Sequence, residues 1–197
     1  MVLKASGKFE LALVFTAGFA SALLLSFAAY PEVNAFKENG VCALGVTTVF
    51  SPDSQEQFVS IISSAEKTLD VMLYQFSNPE MKDALAFAVR RGVAVRIILE
   101  PRVDSNYATA EFLSQNGVSV RWASKEYTNT HSKTAVIDGR KVIVGSTNWS
   151  KQAMRSNRES TVLIEGEAIA KEFSRVFEED WIKAKEYVSG VENATAG

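Results

Sequence analysis

Histidine and cysteine are almost missing: the 197-residue chain holds one of each, His131 and Cys42. A single cysteine excludes an intrachain disulfide framework and a cysteine-rich zinc site, leaving Cys42 as a free or buried thiol or a bond between subunits. A single histidine excludes a multi-histidine metal cluster within one chain and forces any histidine-based chemistry onto His131. No metal and no other cofactor is therefore expected. An excess of positive charge is also lacking. Lys and Arg number 21 against 23 Asp and Glu, for a net charge of -2 and a sequence pI near 5.6. Any anion site must be local.

What is present describes one folded body with an apolar leader. The hydrophobic share of 47% and charged share of 22% are ordinary for a globular protein. Residues 11–30 form an uncharged apolar run, preceded by Lys4 and Lys8 and followed by Pro31. That pattern fits a membrane anchor by its length, and a cleaved export signal by the small-residue spacing of Val33, Asn34 and Ala35. Either reading puts the body outside the cytoplasm, as a periplasmic, extracellular or membrane-anchored protein. The expected division is a signal or anchor over residues 1–35, a linker over 36–45 and a catalytic domain over 46–197.

The body alternates β-rich runs with helical segments and shows no internal repeat, which predicts a single α/β domain. Strands are expected over residues 46–50, 69–76, 93–99 and 118–122. Helices are expected over 55–66, 107–115 and 168–185, with another from Pro79 to Arg91 capped by Asn78. Residues 132–137 and 142–145 flank Asp138-Gly139, a strong hairpin signal. A two-residue turn there would set His131 opposite Ser146, with Lys133 and Asn148 on the same face. An imidazole, an ammonium, a hydroxyl and an amide would then meet at one end of a rigid hairpin.

Written as a string, His131-x-Lys133-x4-Asp138-x6-Gly145-Ser146-x-Asn148 resembles the HKD signature of the phospholipase D superfamily at all six fixed positions. With each residue type at about one in twenty, a chance match is on the order of one in 10^5. The resemblance implies a phospholipase D-like mixed β-sheet sandwiched between helices, and two such motifs per active site. This chain carries one, so the resemblance implies a homodimer. In size it looks most like the small secreted or periplasmic endonucleases of the superfamily, and next like the membrane-anchored single-motif enzyme of mitochondria, whose Cys/His zinc insertion it lacks.

The same resemblance makes His131 the nucleophile or the acid, through a phosphohistidine intermediate, and Glu159 the carboxylate that orients it. Lys133 and Asn148 offer a charge and an amide donor to phosphate oxygens, and Ser146 bonds the phosphate or a neighbour. Asp138, in the turn, is expected to cap backbone groups rather than react, and Gly145 to allow close backbone approach. Lys151, Arg155 and Arg158 are candidates for an anion-attracting rim, and Trp122, Tyr127 and Trp149 for stacking on bases. The expected function is nonspecific cleavage of DNA, with RNA a further substrate. The alternatives are a phospholipase D or cardiolipin hydrolase at a membrane surface, reached through residues 11–30, and a noncatalytic nucleic-acid-binding module.

Overall fold

The computed structural model of the protein describes residues 45–190, within which eight strands form one sheet. The signal or anchor expected over residues 11–30 lies outside the described residues, among which no helix is long and apolar enough to cross a membrane. The strands are β1 (Gly45–Phe50), β2 (Thr68–Leu73), β3 (Ala94–Leu99), β4 (Ser119–Trp122), β5 (Lys133–Ile137), β6 (Lys141–Gly145), β7 (Ser160–Glu165) and β8 (Lys185–Glu186). Their order across the sheet is β1-β7-β6-β5-β2-β3-β4-β8. The β2–β3 and β3–β4 pairs are parallel, and all other neighbours are antiparallel. The helices are α1 (Gln55–Ser63), α2 (Pro79–Arg90), α3 (Ser105–Gln115), α4 (Lys151–Arg155) and α5 (Glu167–Lys183).

Side chains alternate between two buried faces because successive residues of a strand point to opposite sides. Leu69, Val71 and Leu73 of β2 join Ile97, Ala135, Ile137 and Ile143 in the main core, which takes in Phe58 of α1, Leu85 of α2, Leu113 of α3 and Met154 of α4. Met72 and Ile98 pack instead against Phe177 of α5, and Val136 and Val142 against Ala170. The sheet is thus sandwiched between helices. Helix α2 starts where the sequence signals it, with Pro79 in the first turn and the Asn78 side chain accepting from the Glu80 N–H at 3.1 Å.

The hairpin departs from expectation by one residue. Asp138 and Gly139 adopt positive φ of 53° and 62°, as a type I′ turn requires, and the Arg140 N–H donates to the Ile137 carbonyl at 3.0 Å. The ladder nevertheless pairs Ile137 with Lys141, so Arg140 is an extra residue in the loop. A one-residue slip exchanges the faces of one strand relative to the other, so the expected pairing of His131 with Ser146 does not occur. His131 instead lies before β5, in the segment that leads into it.

Two motif residues hold the scaffold. The Asp138 carboxylate accepts from the N–H groups of Glu66, Lys67 and Thr68 at 3.0, 2.7 and 2.9 Å, pinning the turn to the start of β2. Burial pushes this carboxyl up, but those N–H groups outweigh it and hold the group below its usual range. At Gly145 the neighbouring strand comes so close that a Cβ would lie 2.4 Å from the Ser160 carbonyl oxygen. No side chain fits there.

Strand register then decides where function can gather. One row across the sheet runs through paired residues: Val49 with Thr161, Thr161 with Gly145, Lys133 with Leu73, Leu73 with Leu99, and Leu99 with Trp122. Just beyond this row, at the carboxyl ends of the parallel strands, lie Ser51, Glu159, Ser146, His131, Tyr74 and Glu100. Open α/β sheets place their ligands at this edge.

Candidate active site

Lys133 is the first residue of β5, and its side chain is buried at 7% exposure. Its Nζ reaches back to His131, 2.8 Å from the carbonyl oxygen and 3.1 Å from Nδ1. The imidazole is exposed and lies on the ring of Tyr74, with centroids 4.4 Å apart, while Lys133 Nζ stands 5.0 Å from that same phenol ring. Burial pushes the Lys133 ammonium below its ordinary pKa, and the negative charge of Glu159 pulls it partly back.

Glu159 is placed differently from the sequence expectation. Its carboxylate accepts from Ser146 Oγ at 2.6 Å and from Asn157 Nδ2 at 3.0 Å, rather than from the imidazole. The His131 ring meets the Tyr74 ring and Lys133 Nζ. Ser51 closes this network: its Oγ donates to the Asn157 carbonyl at 2.7 Å and accepts from the Glu159 N–H at 2.9 Å. Asn148 follows two residues after Ser146, and its buried Oδ1 has no hydrogen-bond partner among the described residues. An orphaned buried amide oxygen calls for a donor that the fold does not supply.

A second carboxylate holds the segment before His131. Glu100, fully buried at the end of β3, accepts from the Thr130 N–H at 2.7 Å and from Arg102 Nη1 at 2.8 Å. Asn106 ties the same strand ends together, donating to the carbonyls of Tyr74 and Glu100 and accepting from the Phe76 N–H. Ser51, Tyr74, Glu100 and Asn157 were not singled out from the sequence. Glu100 had a local signal, a carboxylate directly after the apolar run of β3 and directly before Pro101.

The rim candidates divide. Arg158 lies at the site edge, donating to the Ser51 carbonyl at 3.2 Å and standing over the Phe50 ring. Lys151 is exposed at the start of α4. Arg155 is engaged away from the motif, with Gln55 Oε1 at 2.9 Å and Glu80 Oε1 at 3.2 Å. Trp149 cannot stack on a base: it is 1% exposed and packs edge-on against Phe58 and Phe76 in the main core. Trp122 is 4% exposed and is likewise core, packed beside Tyr107 and Tyr187.

Residues 58–181 match the family described as "Cardiolipin synthase, PLD-like domain". The chain belongs to the phospholipase D superfamily. Among curated relatives of this phospholipase D-family chain, the mitochondrial cardiolipin hydrolase of Danio rerio is 32% identical over 142 residues, covering 70% of this chain and 59% of that protein. The phospholipase D of Rickettsia prowazekii is 28% identical over 145 residues, covering 72% and 70%. The crystal structure of Nuc from Salmonella typhimurium, a phospholipase D family member, superposes with a TM-score of 0.70 at 28% identity, covering 74% of this chain and 99% of Nuc. The expectation of a body outside the cytoplasm is overturned by the zebrafish match, whose name places that relative in mitochondria. An apolar leader with flanking lysines does not by itself tell one membrane system from another.

Removing the charge of Glu159 tests its link to Lys133. In Glu159→Gln the ammonium loses the charge that raises its pKa, while the burial that lowers it remains. If the protonated form of Lys133 is the working one, the alkaline limb of the kcat/KM profile moves to lower pH. A limb at the wild-type position in Glu159→Gln would uncouple Lys133 from the activity.

Proposed function

We propose that this chain is a metal-independent phosphodiesterase that cleaves nucleic-acid strands through a phosphohistidine at His131, in an active site shared by two copies. The observation that supports it most is the ammonium of Lys133 held 3.1 Å from a ring nitrogen of the chain's one histidine. A phosphate oxygen is a better acceptor for the ammonium than a neutral imidazole. Substrate would therefore draw Lys133 off the ring and free it to react.

His131 Nε2 then attacks phosphorus and the bond to the leaving oxygen breaks. That oxygen takes a proton from the second copy of His131. Water next attacks the phosphohistidine, the P–N bond breaks, and the second histidine recovers its proton from that water. Lys133 and Asn148 steady the charge on the non-bridging oxygens. Ser146 and Glu159, already bonded to each other, brace the edge on which the phosphate sits.

A phospholipid is the second reading, favoured by the zebrafish relative named as a cardiolipin hydrolase. One experiment addresses both substrates and the metal: the purified chain in excess EDTA with single-stranded DNA, plasmid DNA and labelled cardiolipin vesicles. Among the described residues no three His, Cys, Asp or Glu side chains come together as a metal site, so turnover on the nucleic acids is expected to persist in chelator. A strict need for Mg²⁺ or Zn²⁺ would rule out direct attack by histidine, and cleavage of cardiolipin alone would select the lipid.

A further inference from the structure

The row of paired residues that aligns Lys133 with Leu73, Leu99 and Trp122 does not stop at β4: Trp122 pairs in turn with Lys185 of β8. Here, at the same edge of the sheet as His131, a hollow of about 320 Å³ is lined by Pro101, Tyr107, Trp122, Lys125, Lys183 and Lys185. Three lysines border one concavity on a chain whose net charge is -2. Glu126 meets Lys183 at 3.3 Å, whereas Lys125 and Lys185 enter no ion pair among the described residues. The wall beside them is aromatic and fixed. Tyr107, 40% exposed, stands 4.7 Å from the Trp122 ring and donates its hydroxyl to the Pro101 carbonyl at 3.0 Å.

We propose that this hollow is a subsite for single-stranded nucleic acid, in which Lys125 and Lys185 take a backbone phosphate and the Tyr107 ring stacks on a base. It rests on the reading of His131 as the centre of phosphodiester cleavage and names where the strand continues. Cations that track the backbone beside an aromatic face that accepts any base are how single strands are held without regard to sequence. The spacing suits this. β4 lies three strands from β5, about 14 Å at the usual inter-strand distance, within the span of a short oligonucleotide. A bilayer contact fits less well, because the lysines border a hollow with a rigid phenol in its wall, and the highly exposed Ile182 nearby in sequence does not line it.

The test measures binding without turnover, so that it stands apart from the cleavage reading. The full chain carrying His131→Asn is titrated into a fluorescein-labelled 12-nucleotide DNA, with and without Lys125→Gln/Lys185→Gln. Loss of both lysine contacts to that phosphate is expected to weaken binding roughly tenfold at moderate salt and to flatten the slope of log K against log salt by about 0.7. Lys82→Gln/Lys171→Gln removes equal charge elsewhere and is expected to shift affinity less than about twofold. Tyr107→Leu is expected to weaken binding severalfold with no change in salt slope. Equal losses in the two lysine pairs, an unchanged slope in Lys125→Gln/Lys185→Gln, or a loss confined to cosedimentation with cardiolipin-containing vesicles would each overturn the subsite. Absence of cleavage by the wild-type chain, with these binding differences intact, would instead count against the catalytic reading alone.

Discussion

Replacing His131 with asparagine is expected to lower phosphodiester turnover by about 10^4-fold or more while leaving the fold intact, the scale seen when a nucleophile is removed from a machinery that otherwise survives. The imidazole is exposed, so its loss opens no cavity. What changes is local. Lys133 Nζ keeps its bond to the residue-131 carbonyl, while the Tyr74 ring loses its neighbour. Thermal unfolding should therefore move by little, and the oligonucleotide should still bind. A His131→Asn protein that retains more than about a tenth of the wild-type kcat would show that another group attacks phosphorus.

The contrast with Glu159 is instructive. Histidine is the reacting group in this reading, whereas Glu159 works through Ser146, Asn157 and the charge it presents to Lys133. Its substitution should move a pH limb more than it removes activity. Effects of groups that act as one unit do not add, so the double variant is expected to be no slower than His131→Asn alone.

How far the sequence reached can be judged from these residues. Apolar runs such as residues 94–99 read plainly as strands, and Asn78-Pro79 as a helix start, because burial on both faces and capping leave local marks. The short α4 and the two-residue β8 offer too few residues for any periodicity to register. β7 carries the β-branched residues Thr161, Val162 and Ile164 that favour a strand, yet it is not among the expected strands. The hairpin turn was legible in Asp138-Gly139, yet one extra residue, Arg140, changed the register. Side-chain partners were the least legible layer. That Asp138 would pin Glu66, Lys67 and Thr68, about 70 residues away in sequence, follows from the antiparallel pairing of β2 with β5, which no local signal announces. Trp149 shows the opposite hazard: an aromatic next to a motif asparagine suggested a substrate contact, and the core claimed it.

The second large effect concerns assembly. In a double displacement one histidine attacks while another protonates the leaving oxygen, and the chain supplies one histidine. On the proposed mechanism two copies are expected to meet at the edge that carries His131, Lys133 and Asn148, and a closed two-fold axis is the commonest way for identical chains to do so. The exposed imidazole at that edge suits such a meeting. If wild-type and His131→Ala subunits are mixed and allowed to exchange fully, only wild-type pairs keep both histidines. Activity is then expected to fall with the square of the wild-type fraction: equal parts of the two should leave about one quarter of the activity of the undiluted wild type, on the random pairing of a two-fold dimer. Subunit exchange is checked with two differently labelled preparations and the oligomer by sedimentation. A linear fall after complete exchange, or a sedimenting monomer that turns over at the full rate, would show that each copy completes its own site.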